Sequence, residues 1–130
     1  MAGQSSGFGK EKRLLNAKDY SRVFDNPDAR ASHQNVLLLA KINDRTGHRL
    51  GLVIAKKNVR LAVHRNRIKR VAREFLRTRP AGESAVDVVL LARRGIGDLA
   101  NAELSSILQQ QWKKLIHQTT KMTLNNSQDS

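Results

Sequence analysis

The chain has 130 residues, 39% hydrophobic and 27% charged, enough apolar side chain for one two-layer core and too little length for two independent ones. Lysine and arginine number 24 against 11 acidic residues, a formal net charge of +13, and such an excess favours a polyanionic partner. The absence of cysteine excludes disulfide staples, zinc knuckles and thiol catalysis, and no apolar run approaches the roughly 18 residues of a membrane-spanning helix.

Residues 1–11 are rich in Gly and Ser and read as a disordered segment; without the apolar middle of a signal peptide, the expected location is cytoplasmic. Asn16 is placed to cap a short helix that has Asp19 at its third position and stops before Pro27, with Tyr20, Val23 and Phe24 on one face. Val36 to Ile42 and Leu50 to Ala55 are apolar runs separated by the turn chemistry of Asp44, Thr46 and Gly47, and read as an antiparallel strand pair.

From Leu61 to Thr78 the period becomes helical, with Leu61, Ile68, Val71, Ala72, Phe75 and Leu76 on one arc, and Pro80 and Gly82 close the segment. Val86 to Ala92 reads as a buried strand bounded by Gly95 and Gly97. Leu99 to Met122 is again helical, with Leu104, Ile107, Leu108, Leu115 and Ile116 in a stripe and Trp112 beside it as a packing residue. Residues 121–130 read as a disordered tail, leaving one domain over 12–120. This order predicts an α+β fold, a small mixed sheet with helices packed on one face and a groove on the other.

Residues 56–79 concentrate the charge: Lys56, Lys57, Arg60, Arg65, Arg67, Lys69, Arg70, Arg73, Arg77 and Arg79 stand against the single acid Glu74. On a helical wheel Asn66, Lys69, Arg70, Arg73 and Arg77 fall together opposite the apolar arc. A solvated helix face ordinarily mixes signs, because like charges three or four positions apart repel by a few tenths of a kcal/mol. Here the repulsion is uncompensated, and a phosphate backbone would relieve it while releasing condensed counterions. Arginine forks pair bidentately with phosphate and stack on bases, and Asn66 adds neutral donors and an acceptor, a combination suited to folded RNA and compatible with DNA.

The sequence offers no complete catalytic site. His33, His48, His64 and His117 form no pair at metal-ligand spacing, there is no phosphate-binding loop or nucleophile elbow, and Gly95-Ile96-Gly97 lacks the third glycine of a dinucleotide fingerprint. No metal site and no catalytic residue is expected in this chain.

The run Arg65-Asn66-Arg67-Ile68-Lys69-Arg70, preceded by Ala55-Lys56-Lys57-Asn58-Val59 and followed by Arg73, resembles the protein subunit of bacterial ribonuclease P. The likeness extends to Arg13-Leu14-Leu15, Tyr20, Phe24, Gly51-Leu52, and Asp87-Val88-Val89 followed by Arg93, Arg94 and Gly95, over roughly residues 12–118. It implies a left-handed βαβ crossover of the ribosomal protein S5 domain 2-like kind. It also implies that Arg65, Asn66, Arg67, Lys69, Arg70 and Arg73, with Lys56, Lys57, Arg60 and Arg77 beside them, bind the catalytic RNA. In such proteins a cleft between the first helix and the sheet receives the single-stranded 5′ leader of precursor tRNA, which would put Tyr20 and Phe24 there; stacking on bases and core packing of a short helix both suit their spacing. Hydrolysis would fall to the RNA with Mg²⁺ held by RNA and substrate. A ribosomal or RNA-chaperone binding module is the rival that composition alone allows, and the ordered motif set weighs against it. A DNA-architectural protein would want a dimer core and minor-groove wedges, and neither is present.

Overall fold

The computed structural model describes residues 13, 16–45, 47–79 and 85–129, with side chains as far as Met122. The expected cap opens α1 (Ala17–Asp25): Asn16 Oδ1 accepts from the Asp19 amide at 3.0 Å, and the Asp19 carboxylate accepts from the Asn16 amide at 3.4 Å. Such a reciprocal cap is worth about 1 kcal/mol. Next comes β1 (Ala29–Ser32), which the sequence reading did not anticipate; four residues built on two alanines carry almost no strand propensity. It turns back through His33 to pair antiparallel with β2 (Val36–Ile42).

The remaining elements are β3 (Arg49–Val53), α2 (Ala62–Arg77), β4 (Val86–Ala92), a 3₁₀ turn at Ile96–Asp98 and α3 (Asn101–Asp129). The strand order is β1-β2-β4-β3, with β4 antiparallel to β2 and parallel to β3. The expected pairing of β2 with β3 is therefore corrected, since β4 lies between them. Its near-continuous apolar run suits the central position, where both faces are covered and Val86 to Leu90 are all buried. α2 is the crossover that carries the chain from β3 to its parallel neighbour.

The domain is α+β, with a four-stranded mixed sheet and three helices, as expected. The main core lies between one sheet face and the helices α2 and α3: Leu38, Ala40, Leu50, Val88 and Leu90 meet Ile68, Ala72, Leu76, Leu104, Leu108 and Leu115. Trp112 packs there as foreseen, with its ring edge-to-face with His48 at 4.9 Å and Phe75 at 6.1 Å. His48 is buried and accepts the Val86 amide on Nδ1 at 3.1 Å, a structural role.

The expectation that the helices share one face holds for α2 and α3 and is corrected for α1. Alternation along β2 and β4 leaves Leu37, Leu39, Val89 and Leu91 on the second face, and α1 covers part of it with the fully buried Val23 and with Tyr20. α3 runs on to Asp129, where a loose tail was expected from residue 121, and residues 123–129 contain no Gly or Pro to end it. The expected disordered segment 1–11 lies outside the described residues.

Charges pin α1 over the second face. Arg49 donates to both carboxylate oxygens of Asp87 at 2.8 and 2.7 Å, and Asn43 adds a third donor at 2.7 Å. From α1, Asp19 lies 3.6 Å from Arg49 and Arg22 lies 3.7 Å from Asp87. Asp87 and Arg49 are 1% and 4% exposed, so either charge alone would be uncompensated. The Asp87 hydrogen bonds hold the Arg49 guanidinium protonated above its ordinary range, against the opposing effect of burial.

Candidate RNA interface

The basic helix α2 starts at Leu61, which offers no side-chain cap, and its first turn carries no acid. The preceding loop folds onto the sheet because Val59 is buried and Asn58 donates to the Ala92 carbonyl at 2.9 Å. Lys56, Lys57 and Arg60 are left exposed along that loop, and none of their three side chains has a partner among the described residues.

Within α2 the cations divide into three groups. Arg65 donates to the Val59 and Arg60 carbonyls at 3.0 and 2.9 Å, bracing the loop against the helix. Arg67 donates to the Gly97 carbonyl at 2.9 Å and to Asn101 Oδ1 at 2.8 Å, tying α2 to the start of α3. Arg77 is paired with Glu74 one turn back. That hydrogen bond holds the Glu74 carboxyl below its ordinary range and raises Arg77 above its own, both at the open surface. Lys69, Arg70 and Arg73, with Asn66, have no partner among the described residues; Asn66 and Arg70 are exposed, Lys69 and Arg73 partly so. These four spread over two turns and make an unneutralised stripe.

The ten cationic and polar positions read from the sequence thus lie on α2 and the loop that precedes it, in different states. Arg93, part of the matched pattern, donates to Ser32 Oγ and the His33 carbonyl at 2.9 and 2.8 Å, and so fastens the end of β4 to the β1–β2 turn. Arg79 stacks over the Phe75 ring at 4.6 Å.

Tyr20 and Phe24 point to different fates. The Tyr20 ring joins the small cluster around Val23, and its hydroxyl accepts the Leu52 amide at 3.2 Å on the side of β3 away from β4. Phe24, one turn later, is 40% exposed. Beside them Leu37 and Leu91 are half-covered and Val53 is 36% exposed, so an apolar strip of the second face stays open next to α1. The sequence reading did not single out Arg49, although a lone acid inside the apolar run of β4 is a signal that a buried cation must face it.

A sequence model of the family described as Ribonuclease P matches residues 8–116. The chain belongs to the ribonuclease P protein family. It is 49% identical over 111 residues to the ribonuclease P protein component of Stutzerimonas stutzeri, covering 85% of each chain. To that of Ectopseudomonas mendocina it is 50% identical, covering 85% of this chain and 83% of the relative. The solved ribonuclease P protein of Staphylococcus aureus superposes with a TM-score of 0.71 over 78% of this chain and 93% of its own at 24% identity, a likeness of fold. A Thermotoga maritima ribonuclease P protein, solved with 1-(4-fluorophenyl)-2-thiourea, gives 0.66 over 76% of this chain and 96% of its own at 22% identity. Membership of the ribonuclease P protein family implies a role in an endoribonuclease complex with an RNA partner. Among the described residues no three His, Asp or Glu side chains group as metal ligands, and no helix is long and apolar enough to cross a membrane.

Proposed function

We propose that this chain is the protein subunit of ribonuclease P, which binds the catalytic RNA and the 5′ leader of precursor tRNA and so promotes removal of the leader in the cytoplasm. The observation that carries the reading is the stripe of Asn66, Lys69, Arg70 and Arg73 on α2, polar and cationic side chains that no group among the described residues engages. Such a stripe lowers its own repulsion by taking phosphates, with affinity that falls steeply as salt rises. Lys56, Lys57 and Arg60 extend it along the loop. Arg65 and Arg67 act as positioning residues that hold loop, helix and α3 in register, and Arg77 contributes once Glu74 lets it go.

The open strip beside α1 suits a single strand. Phe24 offers a ring face to a base without demanding a sequence, and the Tyr20 ring forms the floor. The chemistry is assigned to the RNA, with Mg²⁺ held by RNA and substrate to activate water and stabilise the leaving 3′ oxygen. The protein's work is to hold leader and RNA together.

The test is 5′-leader cleavage of a precursor tRNA at low Mg²⁺ with bacterial ribonuclease P RNA, with this protein, and with both. Stimulation only in the combined reaction is expected. Tight RNA binding without stimulation would overturn the subunit reading and favour a plain RNA-binding module.

A further inference from the structure

In front of α2 lies a cleft of about 600 Å³, lined by Asn58, Val59, Arg60, Leu61, His64 and Asp98 over a floor that includes Gly95 and Gly97. Its volume falls in the range of small-molecule sites, roughly 300–1,000 Å³, and far exceeds a bare phosphate. The floor is fixed by backbone geometry. Gly95 has φ +91°, and a Cβ there would sit 2.8 Å from Asn35 Nδ2, so the turn that shapes the cleft requires glycine. A Cβ on Gly97 would face Val59 and His64 at 3.4 and 3.9 Å, so any side chain at 97 would grow towards cleft-lining groups.

The walls differ in chemistry. Leu61 supplies apolar surface, 59% exposed at the mouth and in neither hydrophobic cluster among the described residues, and the buried Val59 closes the cleft behind it. Arg60 is an unpartnered cation beside the uncapped start of α2, a place that favours an anion. Asp98 has no side-chain partner among the described residues. A carboxylate is a poor neighbour for a lone phosphate and a good acceptor for paired N–H donors. The occupant that satisfies all three walls carries a flat apolar body, an anionic group and a donor edge.

We propose that this cleft takes one unpaired guanosine nucleotide of a bound RNA, with Asp98 accepting from the base N1–H and 2-amino group, Leu61 and Val59 against the ring, and Arg60 on the phosphate. Guanine is the base that presents two adjacent donors to a carboxylate. The proposal rests on the RNA-binding reading and adds a base-selective site to it. The nucleotide comes either from the catalytic RNA or from the leader.

The full chain is titrated with a uridine-rich single-stranded RNA hexamer carrying one guanosine, and with the same hexamer carrying inosine, which lacks the 2-amino donor. A preference for guanosine of about fivefold or more is expected, the weight of one hydrogen bond to a charged acceptor. Asp98→Ala should bring the ratio near one without weakening the all-uridine hexamer. Gly97→Val should do the same by filling the cleft, leaving every charge in place. Equal affinity for the two hexamers, or a preference that survives Asp98→Ala, overturns the proposal. Inosine is then placed at guanosine positions of the ribonuclease P RNA and, separately, of the leader. A position where it weakens the wild-type complex and leaves the Asp98→Ala complex unaffected names the source, and finding none in either RNA overturns the proposal. Arg70→Ala and Arg73→Ala serve as controls for the wider reading: they should reduce affinity for every RNA. A chain that passes this control and shows no guanosine preference loses the cleft alone.

Discussion

Arg67 and Arg70 stand three positions apart on the same helix, and replacing each by alanine separates bracing from binding. Arg67 makes two charge-assisted hydrogen bonds, to the Gly97 carbonyl and to Asn101, and links α2 to the start of α3. Hydrogen bonds to charged groups are worth about 1.5–3 kcal/mol when buried, and partial exposure brings the pair down to a total of about 1–3 kcal/mol. For a chain of this size that lowers Tm by roughly 3–12 °C. The Arg70 side chain is exposed and engages no group among the described residues, so Arg70→Ala should leave Tm within about 2 °C, a change of no more than about 0.5 kcal/mol, with relief of repulsion from Arg73 acting to raise it. Its effect belongs to RNA binding: the slope of log affinity against log salt should fall by about one, with affinity reduced for all sequences alike. Thermal melts in RNA-free buffer and filter binding to ribonuclease P RNA across a salt series measure both quantities. Equal loss of Tm in the two variants, or an unchanged salt slope in Arg70→Ala, would refute the division of the helix into bracing and free cations.

Tyr20→Phe removes the hydroxyl that accepts the Leu52 amide and should lower stability by about 1 kcal/mol in a denaturant titration while leader affinity holds. Phe24→Ala should do the reverse, weakening a leader-bearing precursor by about 1–3 kcal/mol relative to mature tRNA with little change in the melt. Glu74→Gln should free Arg77 and steepen the salt slope of RNA binding by about one. Because the Glu74 carboxyl is held below its ordinary value, the pair's contribution is complete above that value and is lost as pH falls through the lowered one; acid should therefore mimic Glu74→Gln in the slope and leave the variant itself unchanged. Asp87→Ala strands the buried Arg49 and should cost about 3–5 kcal/mol, read as a drop in the denaturant midpoint, and Arg49→Met combined with Asp87→Leu should recover part of it.

Much of this molecule was legible locally. The cap at Asn16, the span of α2 with its apolar and basic faces, the buried strand at Val86–Ala92 and the packing role of Trp112 all follow from periodicity, propensity and short-range hydrogen bonding, which a sequence displays directly. The ordered set of motifs likewise carried the family. Other features depended on contacts between residues far apart in the chain. β1 is visible only through its pairing with β2, and β4 displaces β3 from the neighbour that proximity in sequence suggested. α1 went to the second sheet face because both alternating sets of β2 and β4 are apolar, a demand that appears once the sheet has been assembled.

The division of the cations is the sharpest case. Arg65, Arg67, Arg70 and Arg73 are the same residue type on one short helix, and the helical wheel sets the first two off the arc that holds the last two without showing what any of them would meet. What separates Arg67 from Arg70 is whether a carbonyl and a carboxamide about thirty positions later come within reach of the guanidinium, and in this fold the 3₁₀ turn and the start of α3 bring them there. Sequence determined that this helix is amphipathic and cationic, because those are properties of residue type and period. Tertiary structure decided that Arg67 is consumed inside the protein, because its partners are set by where distant backbone passes.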